Sequence, residues 1–288
     1  MGTKPRGIAE LITPEPVIEG AGVRLKRSIA TATLDHVDPF LLFDHFGSAN
    51  QKDYIKGFPW HPHRGIETVT YIIEGTVDHR DSIGNSGSIG AGDVQWMTSG
   101  RGIMHEEMPQ PYPGESLGFQ LWVNLPARLK MTAPRYQDIA SKNIPTITRE
   151  DGVTIRVIAG EVDGIQGSVT EIYANPTYLD ISIPAGKSFS HPLDPDHAVF
   201  AYVFKGEGLF GSAERNQEER VNSPHLIVYG DGDSINVRTD KTPVRFLLVS
   251  GRPLNEPIAR YGPFVMNTRE EIEQTLEDLR NGTFVETG

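Results

Sequence analysis

Short runs rich in Val, Ile, Thr, Tyr and Phe recur along the whole chain, and turn-forming residues separate them. The 30 glycines and 21 prolines are spread over the sequence and do not collect in one segment. Apolar and β-branched runs bounded by glycine and proline are typical of β-strands joined by turns. The pattern therefore predicts an all-β protein with many short strands.

One pattern occurs twice and predicts two similar β-units in tandem. The first copy comprises residues 71–75 (YIIEG) and 92–96 (GDVQW), and the second comprises residues 202–206 (YVFKG) and 232–236 (GDSIN). We expect each copy to form a strand, a tight glycine turn, a loop, and a Gly-Asp turn that begins another strand.

The chain length also favours two domains. Its 288 residues exceed the usual size of one domain, and a polar, proline-bearing segment at residues 129–148 lies between the two copies of the pattern. We predict an N-terminal domain over residues 1–135 and a C-terminal domain over residues 136–288.

The end of the chain departs from the β pattern. Thr268 and Glu271 have the spacing of a helix capping box, and Asn281-Gly282 is a typical helix stop. Between these signals, apolar residues recur at helical spacing at Ile272, Leu276 and Leu279. We predict one amphipathic helix that packs on a sheet and belongs to the C-terminal domain.

The composition narrows the function classes. The net charge of −11 argues against direct nucleic-acid binding, which needs clustered Lys and Arg. The chain has no cysteine, so disulfides and thiolate metal sites are excluded. No apolar stretch approaches the length of a membrane span or of a signal core, so we expect a cytoplasmic protein without membrane contact.

Two short segments predict a metal site. Side chains two residues apart in a strand point to the same side, so His61 and His63 share one face, and His105 and Glu107 share another. If the two strands lie side by side in a barrel, three imidazoles and one carboxylate converge. Glu106 then points away.

This set of three nitrogens and one oxygen suits a divalent transition metal. Fe(II), Mn, Co, Ni, Cu and Zn all accept such ligands, whereas Ca²⁺ prefers oxygen ligands alone. The spacing does not choose among the six metals. A metal held in this way keeps positions open for water, a substrate oxygen or O2.

The second copy of the pattern lacks these ligands. The positions that correspond to the four ligand residues are occupied by Pro192, Asp194, Arg245 and Leu247. His191 and His197 lie nearby but are six residues apart across a Pro/Asp-rich turn. We expect them to be surface or loop histidines.

Several long motifs resemble those of the pirin family, whose members belong to the cupin superfamily and contain two jelly-roll β-barrels in one chain. The motifs are residues 38–47, 61–70, 92–105, 120–125 and 262–268. The resemblance covers nearly the whole chain and implies one metal, usually iron, in the N-terminal barrel. Matched residue by residue, it places the metal ligands at His61, His63, His105 and Glu107.

Other residues near these motifs have two readings each. Many cupins take a carboxylate ligand from the position of Glu67, but in the pirin pattern this residue is structural or supports the ligands. His79 and Asp81 either orient a ligand or substrate by hydrogen bonding or stabilise a turn. Four aromatic residues either wall a pocket or belong to the core: Phe46, Trp60, Trp96 and Trp122.

The resemblance implies two functions from different classes. Microbial pirins are associated with quercetin 2,3-dioxygenase (quercetinase) activity, which uses O2 and a flavonol, a small aromatic substrate; Glu107 would then accept the proton of the substrate hydroxyl, as well as binding the metal. The alternative is an iron-binding, redox-sensitive regulator that acts through a protein partner, as animal pirins do. Cupin chemistry on another small molecule is the third reading.

Overall fold

The computed structural model describes residues 4–212 and 217–285. These residues form 25 β-strands, one α-helix and three short 3-10 helices. The predicted all-β class with a C-terminal helix is confirmed. In the part of the chain that is described, no helix combines the length and the apolar character needed to cross a membrane.

The strands are short and follow each other closely. In chain order they are β1 (Ile8–Ile12), β2 (Glu15–Glu19), β3 (Val23–Ile29), β4 (Phe40–Phe46), β5 (Phe58–His63), β6 (Ile66–Glu74), β7 (Val77–Asp81), β8 (Ser86–Ile89), β9 (Val94–Thr98), β10 (Ile103–Pro109), β11 (Leu117–Asn124), β12 (Arg135–Ile139), β13 (Thr146–Thr148), β14 (Thr154–Ala159), β15 (Glu161–Val162), β16 (Ile165–Gln166), β17 (Thr177–Ile183), β18 (Ser188–Pro192), β19 (Ala198–Ser212), β20 (Gln217–Asn222), β21 (His225–Tyr229), β22 (Ser234–Arg238), β23 (Val244–Gly251), β24 (Ala259–Tyr261) and β25 (Phe264–Met266). The α-helix is α1 (Arg269–Asn281), and the 3-10 helices are Gln51–Asp53, Ala127–Leu129 and Ser141–Asn143.

The chain forms two compact units, each assembled from separate segments. We call the unit that contains residues 15–31, 38–141 and 254–285 the first barrel. The unit that contains residues 4–14, 32–37, 142–212 and 217–253 is the second barrel.

This division differs from the predicted ranges 1–135 and 136–288 at both ends of the chain. Strand β1 pairs with β21, so the N-terminal residues belong to the second barrel. Helix α1 packs on β24 and β25, so the C-terminal residues belong to the first barrel. Contacts far apart in sequence decide both assignments, namely β1 with β21 and Arg64 with Phe264 of β25. A local pattern does not contain that information.

The first barrel consists mainly of two antiparallel sheets. Its larger sheet has the order β12-β9-β6-β11-β4-β3-β2, and its smaller sheet has the order β5-β10-β7-β8. Apolar residues of both sheets meet in one cluster, which comprises Leu25, Phe46, Ile72, Val77 and Ile89. The pattern of β3 shows why this strand forms: Val23 and Leu25 are buried, while Arg24 and Lys26 alternate with them on the exposed side.

The second barrel has an entirely apolar central cluster. It includes Ile155, Leu179, Phe189, Phe210, Ile235 and Phe246. The predicted tight turn at Gly206 is wrong, because β19 runs through it as one strand of 15 residues. Gly206 has φ 74° and lies where β19 ends its pairing with β23 and begins its pairing with β20. Its glycine identity permits a bend within a strand.

The C-terminal helix begins and ends at the predicted residues. Thr268 is its N-cap, with a complete capping box to Glu271, and Gly282 ends it in the left-handed conformation with φ 72°. Ile272 is buried against Phe264 of β25. The helix thereby covers the segment that follows β24.

Candidate metal centre

The two histidine-bearing strands are hydrogen-bonded neighbours. Strands β5 and β10 pair antiparallel, with His105 directly opposite His61 and Ile103 opposite His63. The ring centroids of the three histidines lie 4.4 Å (His61–His105), 4.9 Å (His61–His63) and 5.1 Å (His63–His105) apart. The structure thus brings the three predicted histidines into one cluster.

The ring nitrogens of this cluster suit metal binding. One nitrogen from each ring lies within 4.8 Å of the others. The Nδ1 of His61 lies 3.0 Å from the Pro59 carbonyl oxygen, which can only accept, so Nδ1 carries the proton and Nε2 keeps its lone pair. Within the described residues, Nδ1 of His63 and both ring nitrogens of His105 are buried and lack a hydrogen-bond partner.

Burial also keeps His63 and His105 uncharged. Desolvation, and secondarily the charge of neighbouring histidines, lowers the pKa of His63 and of His105 well below its usual value. Neutral imidazoles are the form that binds metal ions. The unpartnered buried nitrogens and their neutral state together make this a group able to hold a transition metal.

Glu107 lines the same cavity as the histidines but is outside the group whose ligand atoms lie within 4.8 Å of one another, and it has a partner of its own. It is buried on β10, after a bulge that separates it from His105 in the pairing with β5. The Thr70 hydroxyl lies 2.9 Å from Glu107 Oε1 and 2.8 Å from Gln120 Oε1. The Thr70 hydroxyl has one proton, which it shares between the two acceptors, the Glu107 carboxylate and the Gln120 amide oxygen.

Glu106 and Glu67 lie away from the histidines. Glu106 pairs with Arg80. Glu67 follows the turn at Gly65, which has φ 80° and interrupts the alternation that starts from His63. The Thr98 hydroxyl donates to Glu67 at 2.7 Å, and burial raises the pKa of Glu67. Glu67 is therefore outside the histidine cluster and is held within the larger sheet.

His79 and Asp81 have separate partners. Asp81 accepts the backbone N–H groups of Ile83 and Asn85, both at 2.9 Å, and so stabilises the turn between β7 and β8. His79 lies opposite Glu107 on β7, and the Gln95 amide nitrogen lies 3.0 Å from its Nε2. An amide nitrogen can only donate, so the His79 proton is on Nδ1.

A cavity of about 440 Å³ opens onto the cluster. Its walls include His61, His63, Glu107, Thr70 and Gln120, and its apolar lining comprises Leu25, Leu42, Phe46, Phe58, Val77 and Trp122. Phe46 and Trp122 thus line a pocket, as one reading of the sequence expected. Trp96 is buried in the core instead, and Trp60 is exposed beside Arg80.

The sequence patterns did not identify the charged residues that line one part of this cavity. The Arg27 guanidinium donates to both carboxylate oxygens of Asp44, at 2.8 and 2.7 Å, and to Glu19 at 2.8 Å. All three residues line the cavity. The signal for Asp44 was present, because it is a charged residue within the otherwise apolar run FLLF-D-HF of β4.

The two histidines of the second copy were predicted to lie at the surface or in a loop; neither is at the surface, but His197 does lie in the loop between β18 and β19. His191 and His197 are each only 5% exposed. His191 stacks on Phe189, and burial lowers its pKa to about 4. His197 lies near Ser250 and Asp194. Over residues 4–212 and 217–285, the only group of three metal-binding side chains is His61, His63 and His105.

Two barrels, one of which carries a histidine cluster at a cavity, define the class of protein as a bicupin. The family description "Pirin" matches residues 22–123, and "Pirin C-terminal cupin domain" matches residues 178–285. The chain belongs to the pirin family.

Relatives and solved structures agree with this membership over nearly full length. A pirin-like protein of Caulobacter vibrioides is 42% identical, with 97% of this chain and 99% of the relative covered. The pirin of Homo sapiens is 44% identical, with 91% of this chain and 88% of the relative covered. The crystal structure of a quercetin 2,3-dioxygenase from Acinetobacter baumannii superimposes with a TM-score of 0.87 at 33% identity, covering 98% of this chain and 99% of that chain.

Proposed function

We propose that this protein is a metal-dependent dioxygenase that cleaves a flavonol-like phenol with O2. The single observation that carries the proposal is the cluster of His61, His63 and His105, with Glu107 beside it, at one wall of an aromatic-lined cavity. The name of the similar Acinetobacter structure supports the same reaction. The atoms balance when one flavonol and one O2 give one ring-opened ester and one carbon monoxide.

We assign the metal-holding role to His61, His63, His105 and Glu107. Three neutral nitrogens and one carboxylate oxygen, in a chain without cysteine, suit Fe(II) and the neighbouring transition metals. When bound, Fe(II) lowers the pKa of a substrate hydroxyl and exchanges electrons with O2.

Glu107 is the base of the proposed reaction. It lies two residues after His105 on β10 and lines the same cavity as His61 and His63, and Thr70 already donates to its Oε1. Its Oε2 is then the oxygen that receives the proton of the flavonol 3-hydroxyl. The Thr70 hydrogen bond keeps the carboxylate in one orientation while this proton moves.

The cavity walls bind and shield the substrate. The rings of Phe46, Phe58 and Trp122 offer flat apolar surfaces to a planar aromatic molecule. A cavity of about 440 Å³ is within the size range of small-molecule sites. Filling it with substrate displaces water from the reacting atoms.

The test is O2 consumption and carbon monoxide release on addition of quercetin to protein loaded anaerobically with Fe(II). Turnover is expected in the wild type and absent in His61→Ala, which loses a metal-holding nitrogen. Glu107→Gln is expected to keep part of its iron, measured by elemental analysis, and to lose turnover at least 100-fold. Turnover retained in Glu107→Gln contradicts its role as base, and no turnover in iron-loaded wild type contradicts the proposed function.

A further inference from the structure

We propose that Arg27, Asp44 and Glu19 form a subsite that recognises hydroxyl groups on the substrate ring farthest from the histidines. The inference rests on the proposed function and adds a substrate class to it. That class is aromatic compounds that carry neighbouring hydroxyls on a ring remote from the reacting hydroxyl.

The position of the three residues places them across the cavity from the histidines. Arg27 and Asp44 lie directly opposite each other on β3 and β4 of the larger sheet. The histidines and Glu107 lie on β5 and β10 of the smaller sheet, and the same cavity touches both groups. Within the larger sheet, Thr70, Gln120, Asp44 and Arg27 lie side by side on β6, β11, β4 and β3. At ~4.8 Å per strand, Asp44 lies ~10 Å from Thr70, which contacts Glu107, and this is the scale of a molecule of two or three rings. A substrate that reacts beside Glu107 therefore extends along the larger sheet toward Asp44 and Arg27.

The hydrogen bonds of the ion pair leave donors and acceptors for a ligand. A guanidinium has five N–H groups, and the bonds to Asp44 and Glu19 use three of them, one on each nitrogen. One N–H on each terminal nitrogen is left, and each Asp44 oxygen has further acceptor capacity. Asp44 is 6% and Arg27 14% exposed through their side chains, so these groups adjoin the cavity and little else that is wet.

A hydroxyl group fits this arrangement better than an anion does. A phenolic hydroxyl donates and accepts at once, so it can give its proton to Asp44 and accept from Arg27. A carboxylate would accept from Arg27 but would meet the negative charges of Asp44 and Glu19. Two neighbouring hydroxyls fit best, because the paired Arg27–Asp44 fork presents two donor–acceptor positions side by side.

The second barrel supplies a matched comparison. Arg245 donates to both oxygens of Asp180, at 2.9 and 2.7 Å, so it forms a fork of the same geometry. Asp180 is as buried as Asp44, but it lies in the barrel without the histidine cluster. A purely structural role for Asp44 predicts that the two aspartates respond alike to substitution. Substrate recognition predicts that only Asp44 affects the binding of hydroxylated rings.

The test compares two flavonols by titration calorimetry without O2, so that binding is measured and no turnover occurs. Quercetin has two hydroxyls on its pendant ring, and galangin has none. The metal-loaded, full-length wild type is expected to bind quercetin about 10- to 100-fold more tightly than galangin, the range of a hydrogen bond to a charged group. This ratio is expected to fall to about 1 in Asp44→Asn and to keep its wild-type value in Asp180→Asn.

A second variant keeps the subsite testable if Asp44→Asn does not fold. Glu19→Gln alters the half-exposed end of the group and is expected to lower the ratio about 2- to 5-fold. A wild-type ratio near 1, or an unchanged ratio in Glu19→Gln and in folded Asp44→Asn, overturns the inference. If wild type turns over both flavonols with equal kcat/KM, the result contradicts the subsite and supports the proposed function. If neither flavonol binds, the result contradicts the subsite and the proposed function.

Discussion

Glu107 is held by a hydroxyl group that has a single proton. The Thr70 hydroxyl lies within hydrogen-bond distance of Glu107 Oε1 and of Gln120 Oε1, so three side chains on three strands form one hydrogen-bonded group. The alternation of side chains along a strand was enough to select the three histidines and Glu107 as candidate ligands from the sequence. It did not select Thr70 or Gln120, because their partners are distant in sequence: Thr70 lies 37 residues before Glu107 and 50 before Gln120.

Replacement of Thr70 by valine tests this hydrogen-bonded group. The substitution preserves shape and removes the donor to Glu107, so kcat/KM for quercetin is expected to fall about 10- to 100-fold, the range of a hydrogen bond to a charged group. Thr70→Ser, which restores the hydroxyl, is expected to recover most of it. The control is Thr68→Val, a buried threonine two residues earlier on the same strand. Equal losses in Thr70→Val and Thr68→Val would show that the hydroxyl does not position Glu107.

Two buried cations tie the histidine strand to the C-terminal segment. Arg64, which follows His63, bonds Thr275 and Asp278 of α1. The Lys130 ammonium donates to the carbonyl oxygens of Gly65 and Val265, at 3.0 and 2.8 Å, and to the Asn124 side chain at 2.8 Å. The helix itself was predictable from local signals at its two ends. The attachment of the helix to β5 was not predictable from the sequence. The bonds from Arg64 to α1 and from Lys130 to Val265 join residues more than 130 positions apart, and the bonds from Lys130 to Gly65 and Val265 use backbone carbonyls, which every residue has.

Lys130 makes the stability of the first barrel depend on pH. Burial lowers its pKa to about 8 from 10.5, so between these values the unfolded chain binds a proton that the folded chain has lost. The free energy of unfolding is therefore expected to rise by about 1 kcal/mol per pH unit from pH 8 toward pH 10. Lys130→Met is expected to remove this rise, and the exposed Lys52→Met to keep it.

Urea unfolding followed by tryptophan fluorescence at several pH values measures this rise. All three tryptophans, Trp60, Trp96 and Trp122, lie in the first barrel, so the signal reports on that unit. An identical pH dependence in wild type and Lys130→Met would contradict the assignment to Lys130.

At the scale of the whole molecule, the histidine cluster lies in the first barrel. The sequence offsets predict that the second copy lacks the four ligands. Over residues 4–212 and 217–285, the structure contains one group of three side chains arranged so that they are able to hold a metal. The bicupin fold was predictable through the motifs that resemble pirins. The interleaving of the two barrels was not, because the pairing of β1 with β21 joins Ile8 to Tyr229, and a periodic pattern carries no information over that distance.

One metal ion per chain is therefore expected. Elemental analysis after anaerobic loading with Fe(II) and desalting should give about one equivalent in wild type and almost none in the double variant His61→Ala/His63→Ala. The variant His191→Asn alters one of the two buried histidines of the other barrel and should retain one equivalent. A full equivalent of iron that survives loss of His61 and His63 would contradict the proposed ligand set.

During synthesis, the strands that carry the histidines are made long before the C-terminal residues that complete the cavity of the first barrel. Strands β5 and β10 leave the ribosome early, whereas Arg260, Gly262 and Pro263, which line the cavity, follow only after the long second-barrel segment that begins at Lys142. At ordinary translation rates this interval is on the order of ten seconds. The finished cavity is a late product of translation, although its histidines are an early one.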